Sequence, residues 1–284
     1  MRVQLNGTRW RLTLRVILLA IILCVPAGCL GPLRGTIALR EAQVEFMLAS
    51  LETSKQYKTE LKSTGIGNLI PPESPQDKYQ EVIHMVDSRV LPNVDRDDFK
   101  VVAYTLKSYS LWQAGNGKDA KITAAEGVDL YQRSGLTAYR RNYGMLLILP
   151  GLVDYSEAHQ KYQSKLKAES SSDISAEEAR QITGAMEVAL KEIDTINSKM
   201  EVKEPIAIFA NFLQLRIIRT ILGVWGKVPE ADAKAAAACD WWCKGETILK
   251  TKFPKEHFME KDVVVELMGE INSFKQPGCA CPSN

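Results

Sequence analysis

The residues of this chain best suited to chemistry are its six cysteines, four of which fall into two close pairs: Cys239 with Cys243, and Cys279 with Cys281. Cys239 and Cys243 are four positions apart, so on a helix they share one face. Cys279-Ala280-Cys281 sits in a tail between Gly278 and Pro282. Four thiolates grouped in this way could bind zinc tetrahedrally. The usual zinc pair is a Cys-x-x-Cys turn, however, and neither spacing here is that one. In an oxidising compartment thiols pair with one another instead. Two disulfides are therefore expected, joining Cys239 and Cys243 to Cys279 and Cys281 and pinning the tail to the helix, with no metal. Either connectivity is open. The three histidines offer less. His84 lies among Val82, Ile83, Met85 and Val86 and reads as packing at a helix edge; His159 lies in the polar run Glu157 to Lys161 and reads as a solvated face; His257 follows Pro254 in a loop. None has the spacing of a zinc protease. No nucleophile elbow, phosphate loop or dinucleotide glycine pattern occurs. No catalytic residue and no cofactor is expected.

The compartment is read from the N-terminus. Arg2, Arg9, Arg11 and Arg15 give a positive start, and Val16 to Val25 is an apolar run. Such a run spans about 15 Å as a helix, half a bilayer core. Pro26-Ala27-Gly28 then leads into Cys29. A charged start, a short apolar run and small residues are the anatomy of a secretory signal peptide. The segment resembles the lipobox of bacterial lipoproteins: Ala27-Gly28-Cys29 matches the three positions nearest the cut, and Pro26 stands where an aliphatic residue is usual. The resemblance implies removal of residues 1–28 and lipid on the Cys29 thiol and its new amino group. Leu30, where Asp would retain the protein, resembles the signal for sorting to the outer membrane, facing the periplasm of a Gram-negative cell. An ordinary signal peptide or an uncleaved anchor from Val16 to Leu33 are the alternatives, the anchor being opposed by Pro26, Gly28, Gly31 and Pro32. Each of the three puts the body outside the cytoplasm. The formal charge of +2 also comes from this segment; without it 32 basic residues face 34 acidic ones. That balance lacks the footprint of a nucleic-acid binder.

The elements that must position the cysteines are helical. Val44, Met47, Leu48 and Leu51 have the spacing of one helix face. A Gly- and Pro-rich loop from Ser63 to Ser74 separates them from a second helix over about Gln76 to Arg89. Asp95 and Asp98 are placed like an N-cap and its third helical residue. Helices then follow to Gly115, from Ala120 to Gly135, and from Thr137 to Leu149, where Pro150-Gly151 bends or ends the chain before a polar helix to Lys167. Residues 169–174 mark a possible sub-boundary, with a Ser175/Glu178 capping box behind it. The apolar helix after Pro205 contains Asn211, Gln214, Arg216 and Arg219, which argue for a buried soluble helix. Two more run from about Ala231 to Leu249 and Lys261 to Ser273. In the first, Trp241 and Trp242 are 100° apart, so only one points squarely into a core and the other is left to a rim. No strand is expected. The fold class is all-α, a stack of antiparallel helical hairpins over residues 29–284.

Tyr104, Ser108, Leu111, Gly115, Ala120, Ala124 and Gly127 set an aromatic, small and bulky residues, a turn glycine and small residues at the spacing of two closely packed helices. This resembles a tetratricopeptide repeat, with Lys107 and Gln132 where a leucine and a proline are usual. Leu222, Gly226, Ala231, Ala235 and Ala238 repeat its second half. The resemblance implies an α-solenoid acting as a binding scaffold, for another envelope protein or a small ligand. The expected function is thus a lipid-anchored envelope scaffold. A metal- or redox-active protein using Cys239, Cys243, Cys279 and Cys281 is the alternative.

Overall fold

The computed structural model describes residues 31–64, 76–168, 173–253 and 261–281. The signal segment, Cys29, most of the Ser63–Ser74 loop, residues 169–172 and His257 lie outside the described residues. Nine α-helices and no strand occur among the described residues. They are α1 Gly31–Thr64, α2 Gln76–Met85 (continued by a π turn, Val86–Val90), α3 Asp97–Gln113, α4 Gly117–Arg133, α5 Arg140–Ala168, α6 Ala176–Asp194, α7 Pro205–Trp225, α8 Ala231–Lys252 and α9 Lys261–Asn272.

Each of α1 to α8 packs chiefly on its neighbours in sequence, while α3 also meets α5 and α5 meets α7. α9 folds back on α7 and α8. The hairpin turns carry the expected residues. Gly115 and Gly135 take φ of +83° and +58°, where a side chain would be strained. Asn116 caps α4 by accepting from the Asp119 amide at 3.3 Å. Across the α3–α4 crossing, Ser108, Ala120 and Ala124 are fully buried. At Gly127 an added Cβ would stand 2.9 Å from the Tyr104 Cβ and 2.7 Å from Leu146, so only glycine allows α4 this close to α3 and α5.

One local expectation needs correcting, and at Pro150 one of two alternatives falls. Asp95 does not cap α3: the helix begins at Asp97 behind Arg96, and Asp98 takes the Arg96 guanidinium at 2.5 Å. That bidentate pair uses the carboxylate that a capping box needs. α5 likewise does not end at Pro150 but runs through it. Gly151 lies where a Cβ would meet the Ala189 carbonyl at 2.7 Å, so α5 and α6 touch backbone to backbone just past the proline. The Ser175/Glu178 capping box does form, with Glu178 N–H donating to Ser175 Oγ at 3.3 Å and Ser175 N–H to Glu178 Oε2 at 3.1 Å.

α3 carries two cores on its two sides. Val101 and Leu111 belong to a large cluster reaching α9; Val102, Ala103 and Leu106 join α1 and α2 in a smaller one. The long apolar α7 is the spine of the large cluster. It is the one described helix long and apolar enough to cross a membrane, and most of it is buried within the protein. Two of its polar residues are committed inside, the Asn211 amide donating to the Lys252 carbonyl at 3.0 Å and Gln214 to the Leu190 carbonyl and to Asp194, while Arg216 and Arg219 are exposed.

Candidate functional site

The four C-terminal cysteines are brought together as two bridges. Cys239 is bonded to Cys279, with Cα atoms 5.5 Å apart, and Cys243 to Cys281, at 5.3 Å. One turn of α8 offers two sulfurs on one face, and the Cys-x-Cys tail matches them rung by rung. Gly278 makes the approach possible by adopting φ of +79°. The nearby amide of Cys279 closes a turn onto the Gln276 carbonyl at 3.1 Å. The result is a ladder that holds the last described residues against α8.

Both tryptophans inside the ladder are buried, 5% and 8% exposed, so neither is left to an open rim. Trp242 turns toward α9, where its indole N–H donates to Asn272 Oδ1 at 2.7 Å and Lys275 covers its ring at 4.2 Å. Trp241 turns the other way and is covered by the Lys244 ammonium, 3.6 Å from its ring centroid. The cover of Trp242 comes from distant sequence, Asn272 and Lys275, whereas Lys244 on Trp241 belongs to α8 itself.

Trp241 lines a cleft of about 670 Å³ between α6, α7 and α8. Leu190, Ile218 and Ile248 complete its apolar wall, and Cys239, Cys243 and Cys281 reach it from the ladder. At its polar end Asp194 accepts from Lys252, from Asn197 at 2.8 Å and from Gln214 at 3.1 Å. Burial works to raise the Asp194 carboxyl, but those hydrogen bonds outweigh it and hold the group below the usual carboxylate range. Around the mouth, Glu187, Lys191 and Asp240 form no ion pair among the described residues. The cleft therefore offers an aliphatic wall beside a covered indole, a fixed carboxylate and charges of both signs that form no ion pair among the described residues. Sequence reasoning found Trp241 and the cysteines. It passed over Leu190, Lys191 and Asp194, which look like ordinary members of an amphipathic helix and carry no signal of their own.

A second hollow of about 590 Å³ lies between α5, α7 and α9 and holds His159. This histidine is not on a solvated face. Its ring sits between Tyr155 and Tyr162, with centroids at 5.6 and 6.4 Å, and both its nitrogens are buried with no hydrogen-bond partner among the described residues. Burial first, and the nearby Arg219 second, lower its pKa from the ordinary value. His84 departs the other way, being exposed rather than packed. The polar letters around His159 hid an aromatic stripe, Tyr155, His159 and Tyr162, at helical spacing.

The sulfur atoms of Cys239, Cys243 and Cys279 lie within 4.8 Å of one another, close enough to serve one metal ion if they were reduced. Compared with family models, with curated proteins and with solved structures, the chain matches none.

Proposed function

We propose that the protein is a lipid-anchored scaffold of the cell envelope, held at the membrane through Cys29, whose stacked hairpins form a tetratricopeptide-like solenoid. In this reading the cleft beside Trp241 takes a segment of another envelope protein. The observation that carries it is the combination at the cleft: an apolar wall beside Trp241 ringed by Glu187, Lys191 and Asp240, charges of both signs that form no ion pair among the described residues. A peptide segment supplies what such a cleft lacks, side chains for the wall and charges for the mouth. The neighbour-on-neighbour packing of α1 to α8, with α3, α5 and α7 also in contact, is what a stack of hairpins requires. The N-terminal arginines, the apolar run and Ala27-Gly28-Cys29 support the anchor.

A photo-crosslinking residue at Thr247, which lines the cleft, tests the binding role in the living envelope. Ile122 on α4, half exposed and away from the cleft, is the control. One discrete protein adduct is expected from position 247 and not from 122. No adduct at 247, or the same set at both, would remove the support. The second reading, a metal- or redox-active protein, is favoured by the cluster of three sulfurs. It predicts one zinc per chain in protein isolated from the envelope without reducing agent.

A further inference from the structure

α1 has two apolar faces, and the described residues cover only one. Ala38, Leu39, Ala42 and Ala49 are buried against α2, its π turn and α3. Gly35 comes so near that a Cβ would stand 2.5 Å from the Asn93 carbonyl oxygen. On the opposite face Leu33, Ile37, Val44, Met47, Leu48 and Leu51 are each between 44% and 61% exposed. With 3.6 residues per turn these six fall within an arc of about 100° and run for roughly 27 Å. Large apolar side chains gathered in this number and so closely mark an interaction surface.

The spacing of the stripe says what kind of surface meets it. Positions 33, 37, 40, 44, 47 and 51 follow one another by four, three, four, three and four, the a and d positions of a heptad. Five are apolar and the sixth is Arg40. A helix lying on lipid presents a broad apolar face with its charges at the edges, whereas here a guanidinium sits in the middle of a narrow seam. A second helix can accommodate that; a lipid surface cannot without drawing the arginine aside.

The stripe is also complementary to itself. Reversed about Ala42, it sets Leu33 against Leu51, Ile37 against Met47, and Arg40 against Val44. Arg40 makes no ion pair among the described residues, only a hydrogen bond to Gln43 at 3.3 Å. In this antiparallel register it is set against Val44 rather than against a second arginine. A parallel pair would face Arg40 with Arg40. We propose that α1 is the interface of a homodimer, two copies pairing their stripes as an antiparallel two-helix seam. A self-complementary patch of this kind closes with two-fold symmetry. The proposal does not depend on the lipid anchor or on the cleft.

The test is sedimentation equilibrium of the full chain in detergent at roughly 100 µM, well above the ~10 µM dissociation constant expected of a seam smaller than a standard interface. Twice the chain mass is expected, returning to a single chain mass in Val44→Asp/Met47→Asp with an unchanged helical spectrum, because both side chains face outward in the monomer. For orientation, chains carrying Ile37→Cys mixed with chains carrying Met47→Cys should crosslink beyond the level of the parent chain, and neither should do so alone. A wild-type mass of one chain would overturn the proposal, whether residues 1–30 or lipid then prove to cover the stripe. So would a dimer that survives the double substitution, or a crosslink from Ile37→Cys alone.

Discussion

His159 shows how one residue couples environment to pH. Its neutral ring fits between two tyrosines, and the protonated ring would be buried without a partner beside Arg219. The pKa is lower in the folded state than in the unfolded one, so the unfolded chain takes up the proton first. Stability is therefore full above the unfolded value near 6.5 and declines as the pH falls toward the folded pKa. His159→Phe keeps the aromatic stripe and removes two unpartnered nitrogens. The variant is expected to be about as stable as the wild type or up to ~1 kcal/mol more stable at neutral pH. It should also lose part of the wild-type decline between about pH 7 and 5. Urea midpoints across that range measure both effects, and parallel curves for the two proteins would show that His159 is not the group responsible.

At the scale of elements, the two bridges act as one staple. Each closes a long loop, with separations of 40 and 38 residues, but once one is in place the other closes only a small ring between α8 and the tail. Chain entropy assigns about 4 kcal/mol to the first bridge and only about 2 kcal/mol to the second, in whichever order they are removed. Cys239→Ser/Cys279→Ser and Cys243→Ser/Cys281→Ser are thus each expected to cost about 2 kcal/mol, and the fourfold variant roughly 6, more than the sum. Denaturant unfolding of the three variants checks this. Simple additivity would mean that the bridges constrain the chain independently. Loss of the ladder should also loosen the Trp242–Asn272 contact and, with it, the seat of α9 on α8.

For the whole molecule, three separate features stand along the chain: an N-terminal segment proposed to sit in the membrane, a stripe on α1 that no described residue covers, and a cleft beside Trp241. If Cys29 carries lipid, Cys29→Ala should move the protein from the membrane fraction and leave the signal segment attached. Fractionation with labelled palmitate reads this directly, and equal label in the variant and the parent would count against the anchor. The stripe is not the anchor, so dimerisation should persist in Cys29→Ala protein.

How far the sequence reached differed from feature to feature. Helix type was legible almost throughout, because apolar periodicity, Gly115, Gly135 and the Ser175/Glu178 box act within one or two turns of chain. The pairing of two close cysteine doublets was legible for the same local reason. Which cysteine joins which was not, since i and i+4 on α8 meet either rung of the tail equally well until the tail's direction is fixed. α1 is the clearest case. Val44, Met47, Leu48 and Leu51 share one helix face, as their spacing requires, yet the fold buries the opposite face of Gly35, Ala38, Ala42 and Ala49. A periodicity says that side chains lie together; it does not say against what. Small residues win that face because they let α1 come within backbone contact of the segment after the π turn. His159 and the pair Trp241–Trp242 follow the same rule. Part of what surrounds them lies far along the chain: α7 and α9 beside the hollow of His159, Asn272 and Lys275 on Trp242. Local sequence carries the helices, most of their ends and the chemistry of the thiols, all of them short-range matters; the start of α3, behind the Arg96–Asp98 pair, is the exception. Burial is set by contacts between residues far apart in the chain, and only the tertiary structure decided it.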